Sequence, residues 1–109
     1  MTREHPFERG AVWMADLGGK RRPVVVVTNN ALCGVLSRLT VAGVTTTQRG
    51  VRTEVELGKP NGVAEGSVVN CLDLATVATD TLTRPRGTLD PGQRSALDEA
   101  LRIALGLES

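Results

Sequence analysis

Hydrophobic and polar residues alternate in short runs along most of the chain, which is the pattern of strands rather than helices. Residues 9–18, RGAVWMADLG, alternate and lead into a Gly-Gly pair, so they predict a first strand and a turn. Residues 24–27 are four consecutive valines, which predict a second strand packed on both faces. Pro23 has no backbone donor and is therefore expected among the first residues of that strand or on a sheet edge.

Three further strands are predicted in the middle of the chain. Residues 39–47, LTVAGVTTT, are rich in β-branched residues, and residues 52–57, RTEVEL, alternate. The two are expected to form a hairpin. Residues 67–74, SVVNCLDL, predict a fifth strand that leaves in a tight turn near Asp73, and one or two more extended pieces follow. Residues 31–38, ALCGVLSR, are compatible with a short helix or a loop.

The period changes near the C-terminus, where the sequence predicts a helix over residues 91–105. Asp90 is the expected N-cap, with Pro91 at the first helical position and Gln93 completing a capping box. Gly106 is the expected stop. The predicted apolar face contains Leu97, Leu101, Ala104 and Leu105, and its leucine stripe is expected to be buried.

Strands followed by a terminal helix favour an α+β fold: a small, curved, SH3-like antiparallel β-sheet or barrel with a C-terminal α-helix. The length of 109 residues is that of one domain. We expect residues 1–8 to form a mobile N-terminal arm and residues 9–109 to form the domain. A domain of this size buries only a modest apolar core, so we expect a homodimer, in which more apolar surface would be buried.

The net charge of +1 does not by itself indicate a nucleic-acid partner, and the distribution of charge is more informative. Lys20, Arg21 and Arg22 stand directly before the buried valines, and burial of charge is costly, so they must lie where the strand leaves the core. The other basic concentrations are Arg49 with Arg52 and Arg84 with Arg86. The last pair could guard a strand edge or contact RNA equally well.

Other residue types exclude several classes of site. Cys33 and Cys71 lie far apart and His5 is the only histidine, so neither a disulfide framework nor a zinc site is expected, and both thiols should be reduced and packed. A two-histidine ribonuclease scheme is not available within one chain. Neither a signal peptide nor a membrane-spanning run is expected, which favours a cytoplasmic protein without membrane contact. Trp13 is expected in the core or at a dimer interface.

In this order, RGAVWMADLG, KRRPVVVVTNN, VAGVTTTQRGVRTEVEL and GSVVNCLDLATV resemble the MazF/PemK/Kid family, the toxins of bacterial toxin–antitoxin pairs. The resemblance implies a homodimer of SH3-like barrels that cleaves single-stranded RNA without metal or other cofactor. It also implies an antitoxin that blocks the RNA groove, and it assigns catalysis to Arg22 and Thr46. The chain departs from the pattern in its short first loop, and Leu72 stands where many relatives have Asp, although Asp73 follows.

The residues themselves permit that chemistry. Attack by the RNA 2′-hydroxyl on the adjacent phosphorus leaves a 2′,3′-cyclic phosphate and a 5′-hydroxyl, and it requires stabilisation of charge on phosphorus. Arg22 can supply a planar, forked cation, unless it is only a solvated or ion-paired strand-end arginine. Thr46 can supply a hydroxyl, and on a strand it would face away from Thr45 and Thr47. The residues expected to bind RNA are Lys20, Arg21, Arg49, Arg52 and Asn70, the last of which could instead cap backbone.

Two other functions remain open at this point: a CcdB-like poison of a topoisomerase, and a catalytically silent barrel that binds RNA or peptide. Arg22 and Thr46 in register favour the sequence-selective endoribonuclease, as does the absence of an aromatic C-terminal end. The basic run at Lys20, Arg21 and Arg22 further predicts a cognate antitoxin that is acidic and partly disordered.

Overall fold

The computed structural model describes residues 6–107, and within them a single sheet and one α-helix account for most of the chain. The strands are β1 (Ala11–Leu17), β2 (Lys20–Val26), β3 (Arg38–Thr45), β4 (Glu54–Leu57), β5 (Ser67–Ala78) and β6 (Leu82–Thr88), and helix α1 spans Pro91–Leu105. Three short 3-10 turns lie at Asn30–Leu32, Lys59–Asn61 and Thr79–Thr81. Among the described residues, no helix has the length and apolar character needed to cross a membrane.

The strands are ordered β4-β5-β3-β2-β1-β6, and every pairing is antiparallel. The predicted α+β class, with a curved antiparallel sheet and a C-terminal helix, is confirmed. The predicted hairpin of β3 with β4 is wrong, because β5 lies between them. Val69 of β5 pairs with Val44 on one side and Val55 on the other, and residues 46–53 form too long a connection to impose a tight hairpin.

Strand β5 is longer than predicted and carries an irregularity instead of a turn. Asn70 lies opposite Gly43 of β3. Ala42, the residue before Gly43, lies opposite Leu74, so residues 71–73 have no partner in the ladder. The predicted tight turn near Asp73 is therefore wrong. The three extra residues form a bulge, after which pairing with β3 resumes to the end of β5.

Val24, Val25 and Val26 of β2, together with Val27 directly after it, divide between two buried clusters, as the continuous apolar run predicts. Val25 and Val27 belong to the helix-covered face, and Val24 and Val26 belong to the other, here called the Trp13 face. The buried residues of the helix-covered face are Val12, Val25, Val27, Ala42, Val44, Val55, Leu57, Val63, Val69, Cys71, Leu89, Leu97, Ala100 and Leu101. Those of the Trp13 face are Ala11, Trp13, Ala15, Val24, Val26, Cys33, Leu39, Val41, Val77 and Leu82.

Helix α1 begins and ends where the sequence predicts. Asp90 accepts a hydrogen bond from the Gln93 backbone N–H at 2.7 Å, the Gln93 side chain accepts one from the Asp90 N–H at 3.0 Å, and Gly106 adopts a left-handed conformation. Leu97 and Leu101 are buried, but Leu105 is 55% exposed, so the prediction for that leucine is wrong. One turn beyond Leu101, its side chain has passed the core and lines an open groove instead.

The first described residues pack onto the domain. Phe7 lies against Trp13 with ring centroids 4.9 Å apart, and Arg9 makes an ion pair with Asp98 of α1 at 2.7 Å. Trp13 is 7% exposed and belongs to a core cluster, one of its two expected positions. Of the predicted mobile arm, residues 1–5, which include His5, lie outside the described residues.

Candidate active site

The predicted site residues gather at one end of the sheet. Because β2 and β3 are antiparallel, the start of β2 and the end of β3 lie at the same end. Arg22 is in the first half of β2, and Thr46 follows the last residue of β3. The connection after Thr46 carries Arg49 and Arg52 before β4 begins. The fold therefore brings Arg22 of β2 to the same end of the sheet as residues that follow β3 in the sequence.

Arg22 is held at its tip by two contacts. Its Nη2 lies 2.9 Å from Oδ2 of Asp73 in an ion pair, and the same nitrogen lies 3.5 Å from the carbonyl oxygen of Val44. The side chain is 39% exposed and that of Asp73 is 46% exposed. Since side chains alternate along a strand, Arg22 shares its side of β2 with Val24 and thus with the Trp13 face.

Gly43 makes the space in which this ion pair forms. A Cβ atom at position 43 would stand 2.3 Å from Nη2 of Arg22 and 2.3 Å from Oδ2 of Asp73. Real Cβ atoms do not approach other atoms so closely, so any larger residue would have to push the two groups apart. Gly43 lies opposite Val24 in the ladder, which places this gap directly beside Arg22 on the same face.

The bulge in β5 carries the acidic partner. Asn70 accepts a hydrogen bond from the Leu72 N–H through Oδ1 at 3.0 Å, and the Cys71 N–H donates to the Thr53 carbonyl at 2.9 Å. These bonds satisfy backbone groups that the ladder leaves unpaired. Asn70 thus caps backbone, the alternative considered from the sequence, and its assignment to RNA stays a prediction. The sequence indicated Asp73 only as the neighbour of Leu72, and no strand pattern reveals a bulge.

Thr46 lies in an exposed bend and lines a different concavity. That pocket, of about 360 Å³, is lined by Met14, Pro23, Val44, Thr45, Thr46, Gly62, Val63, Ala64, Ser67 and Arg86. Arg22 does not line it, and no hydrogen bond joins Arg22 to Thr46 in the part of the chain that is described. Thr45 and Thr46 both line this pocket, and β3 ends at Thr45, so the strand alternation that was expected to separate them does not extend to Thr46.

Arg86 is a basic residue at the Thr46 pocket that the sequence left undecided. Its Nε donates to the Gly62 carbonyl at 3.0 Å, which ties β6 to the turn before β5. Gly62 has a φ of +82°, and a Cβ there would lie 2.0 Å from the Arg86 carbonyl oxygen, so this close approach requires glycine. The guanidinium is thereby fixed beside the pocket that Thr46 lines.

Four exposed cations surround these two features. Lys20 and Arg21 follow the Gly18–Gly19 turn, whose positive φ values suit a tight hairpin, and Arg49 and Arg52 lie in the connection before β4. None of the four forms an ion pair with another residue in the range 6–107. Glu54 orders this connection, because its carboxylate accepts hydrogen bonds from the backbone N–H groups of Arg49 and Gly50 at 3.0 and 3.1 Å.

The two cysteines are free and buried, one in each core cluster, so the expected packing is confirmed. Burial raises the pKa of the Cys71 thiol to about 11 and also raises the pKa of Cys33. Within residues 6–107 there is no group of three or more His, Cys, Asp or Glu side chains arranged to hold a metal ion.

Chemically, the arrangement suits a polyanion. One arginine is fixed by a carboxylate and a carbonyl, a threonine hydroxyl and a second arginine stand beside a small pocket, and four unpaired cations raise the local positive potential. Oriented guanidinium and hydroxyl groups are donors for phosphate oxygens.

Comparisons with known proteins agree with this chemistry. The model of the PemK-like, MazF-like toxins of type II toxin–antitoxin systems matches residues 8–105. The chain is 39% identical over 89 residues to endoribonuclease MazF3 of Mycobacterium tuberculosis, covering 82% of this chain and 86% of that protein. The solved toxin MazF-mt6 of Mycobacterium tuberculosis superposes with a TM-score of 0.85 at 37% identity, over 91% of this chain and 99% of that one.

A second solved structure, an endoribonuclease from mycobacterial species in complex with its cognate antitoxin, superposes with a TM-score of 0.86 at 30% identity. It covers 95% of this chain and 99% of that one. The family model thus spans the sheet, the helix and the basic end, by which we mean the end of the sheet that carries Lys20, Arg21, Arg22, Arg49 and Arg52. The chain therefore belongs to the PemK-like, MazF-like toxin family of type II toxin–antitoxin systems.

Proposed function

We propose that this toxin cleaves single-stranded RNA at the end of the sheet where β2 begins, with Arg22 stabilising the charge that develops on phosphorus. The chain is an endoribonuclease, in line with its curated relatives of that name. The observation that supports the assignment of Arg22 is its geometry: Nη2 alone is engaged, by Asp73 and the Val44 carbonyl. Nε and Nη1 have no partner among the described residues, so their N–H groups remain available to donate to phosphate oxygens.

In the proposed reaction, the 2′-oxygen of the RNA forms a bond to the adjacent phosphorus, and the bond from phosphorus to the 5′-oxygen breaks. The 2′-proton leaves, and the departing 5′-oxygen gains a proton, so the products are a 2′,3′-cyclic phosphate and a 5′-hydroxyl. Negative charge is greatest when phosphorus is five-coordinate. A cation fixed in advance at that point stabilises the transition state more than the substrate, which is what accelerates the reaction.

Thr46 and the exposed cations have supporting parts in the proposal. The Thr46 hydroxyl stands in the exposed bend two residues after Val44, whose carbonyl Arg22 contacts, so an RNA strand could engage both. Lys20, Arg21, Arg49 and Arg52 would attract the RNA backbone without specifying its sequence. With few aromatic residues in the chain, recognition of bases would depend on hydrogen bonds to pocket residues rather than on stacking.

The proposal includes no metal ion or other cofactor, because Arg22 supplies the charge that a metal would otherwise provide. It includes a homodimer, since the core is thin for a lone domain and the solvent-facing Leu105, Leu32 and Leu36 line an unfilled apolar groove. It includes an acidic, partly disordered antitoxin on the basic end, and the related endoribonuclease solved with its cognate antitoxin supports such a partner. Its place of action would be the cytoplasm, where RNA is available.

The test is cleavage of a long RNA by purified protein, with and without EDTA, followed by single-turnover rates for Arg22→Ala. We expect cleavage that EDTA does not abolish, and a rate for Arg22→Ala that is lower by about a hundredfold to a thousandfold. Arg38→Ala, which removes an exposed arginine at the first residue of β3, at the end of the sheet away from Arg22, is the matched control and should cut at the parent rate.

Three results would count against the proposal. A parent protein that binds RNA without cutting it would indicate a silent binding module. Loss of cleavage in EDTA with recovery on adding Mg²⁺ would indicate metal catalysis. An Arg22→Ala variant that cuts as fast as the parent would remove Arg22 from the reaction.

A further inference from the structure

We propose that Asp73 is a positioning residue for cleavage, which holds the Arg22 guanidinium in its reactive orientation from the bulge in β5. The inference rests on the proposed function, because it concerns the arginine assigned to the reaction. Three features support it: the ion pair at 2.9 Å, the gap at Gly43, and the three-residue bulge that removes Asp73 from the ladder. Neither strand pairing nor core packing requires an acid at this position, since Asp73 is exposed.

The contacts of Arg22 leave two of its three guanidinium nitrogens without a partner among the described residues. Both contacts, to Asp73 Oδ2 and to the Val44 carbonyl, are made by Nη2. The remaining donors, on Nε and Nη1, can each give a hydrogen bond to a phosphate oxygen. The observed contacts therefore restrain the guanidinium at one nitrogen and spare the donors of the other two. The carboxylate of Asp73 acts as a support at Nη2.

Such support matters because arginine is long and flexible. A half-exposed side chain must lose rotamer freedom when it binds a phosphate, and that loss weakens the interaction. An ion pair in the free protein restricts the side chain before RNA arrives. Misplacement of a reacting group by about 1 Å can lower a rate by about a hundredfold. Preorganisation by Asp73 should accordingly affect the chemical step more than RNA affinity.

The bulge and Gly43 are what place Asp73. In an uninterrupted ladder, residues 71–73 would pair along β3, whereas here the bulge lifts them out of register. Asn70 and Thr53 hold the bulge through the backbone N–H groups of Leu72 and Cys71. Across Gly43, the carboxylate then reaches the guanidinium without an intervening Cβ. The bulge and Gly43 together therefore place the Asp73 carboxylate where it can form the ion pair with Arg22.

The opposite role makes the opposite prediction. If Asp73 restrained Arg22 in an inactive state, removal of its charge would release the arginine and cleavage would become faster. If Asp73 were only part of the surface, its removal would leave the rate unchanged. The sign of the change therefore distinguishes a positioning residue from an inhibitory contact and from a neutral one.

The experiment compares single-turnover cleavage at saturating protein with RNA affinity, for Asp73→Asn, Asp73→Glu and the double variant Arg22→Ala/Asp73→Asn. We expect Asp73→Asn to lower the saturated rate by about tenfold to a hundredfold. RNA affinity should be equal or tighter, because a negative charge leaves the basic end. Asp73→Glu should recover part of the rate. In the Arg22→Ala background, Asp73→Asn should have less than about a threefold effect, because its contribution acts through Arg22.

Two controls complete the design. Asp80→Asn removes the same charge from an exposed turn and should leave the rate unchanged. Gly43→Ala should lower the rate as Asp73→Asn does, because its Cβ would separate the pair, and its unfolding curve identifies a folding failure. The inference is overturned if Asp73→Asn cuts as fast as the parent or faster, or if its effect multiplies fully with that of Arg22→Ala. A parent protein that does not cut, or an active Arg22→Ala variant, would instead overturn the proposed function.

Discussion

The two faces of the sheet differ in what covers them. The helix-covered face is closed by α1, whose Leu97, Ala100 and Leu101 pack onto valines from five strands. Within residues 6–107, the Trp13 face is not covered by an α-helix. It is completed by the aromatic pair of Phe7 and Trp13 and by small residues, and it ends in the ion pair of Arg22 with Asp73. The Trp13 face thus turns from apolar to polar where β2 begins.

The difference shows how one strand can serve both stability and chemistry. Val25 and Val27 anchor β2 in the helix-covered core, while Val24 and Val26 anchor it in the other cluster. Arg22, only two residues before Val24, projects from a strand that is fixed on both sides. In the proposed function, that rigidity holds Arg22 in place for contact with a phosphate. We therefore expect changes under the helix to affect unfolding, and changes at the basic end to affect RNA.

The largest expected effect on folding is at Leu97, which is 1% exposed beneath the helix. Leu97→Ala should lower the free energy of unfolding by about 2–5 kcal/mol, because it removes buried methyl groups and leaves a cavity. Urea denaturation measures the change. At a temperature where the variant is folded, its single-turnover cleavage rate should match that of the parent. Leu105→Ala, on the exposed end of the same stripe, should cost less than about 0.5 kcal/mol. Equal losses at the two leucines would contradict the assigned packing.

The next effect is a dependence of stability on pH that originates at Cys71. Burial raises its pKa to about 11 from an ordinary value of 9.0, so between these values the unfolded chain loses the thiol proton while the folded chain keeps it. The free energy of unfolding should thus be unaffected below pH 9 and fall between about pH 9 and 11. Two units correspond to on the order of 2–3 kcal/mol. In Cys71→Ala this fall should be shallower in urea titrations across that range, and an unchanged slope would refute the explanation.

A smaller effect is expected at the start of α1. Asp90→Ala removes the acceptor for the Gln93 N–H and one half of the capping box, so the free energy of unfolding should fall by about 1 kcal/mol. Thermal unfolding would detect it, while RNA cleavage at a lower temperature should be unchanged. Asp80→Ala, which removes an exposed acid that caps no α-helix, serves as the control. If both variants lost the same stability, the capping bonds would contribute nothing measurable.

The features that the sequence predicted correctly are those determined by residues close together in the chain. Helix α1 was predictable in both its bounds because the cap, the proline and the final glycine act within one or two turns. The valines of β2 were predictable because a continuous apolar run must be covered on both sides. Leu105 was mispredicted because periodicity assigns a face to a residue but does not show where the core ends.

The failures in the sheet and the site have another cause, since they depend on long-range pairing. Insertion of β5 between β3 and β4 joins residues that lie far apart in sequence, and no short pattern specifies it. The bulge that carries Asp73 and the gap at Gly43 exist only once β3 and β5 are paired. The family resemblance supplied Arg22 and Thr46. It could not supply Asp73, because the pattern on which that resemblance rests has Asp, in many relatives, at the position of Leu72.

The smallest expected effect distinguishes Arg21 from Arg22 at the basic end of the sheet. Arg21 and Arg22 are adjacent, but Arg21 is exposed, lies opposite Asp16 in the ladder, and makes no ion pair with any residue in the range 6–107. Arg21→Ala should therefore weaken RNA binding modestly and leave the saturated single-turnover rate unchanged. For single-stranded RNA, loss of one phosphate contact should reduce the slope of log K against log salt by about 0.7. Fluorescence anisotropy over a salt series, with an uncleavable 2′-deoxy substrate, measures the slope, and Arg38→Ala, at the other end of β3, should leave it unchanged. If Arg21→Ala slowed cleavage at saturating protein as much as Arg22→Ala, fixed geometry would not be what separates the two arginines.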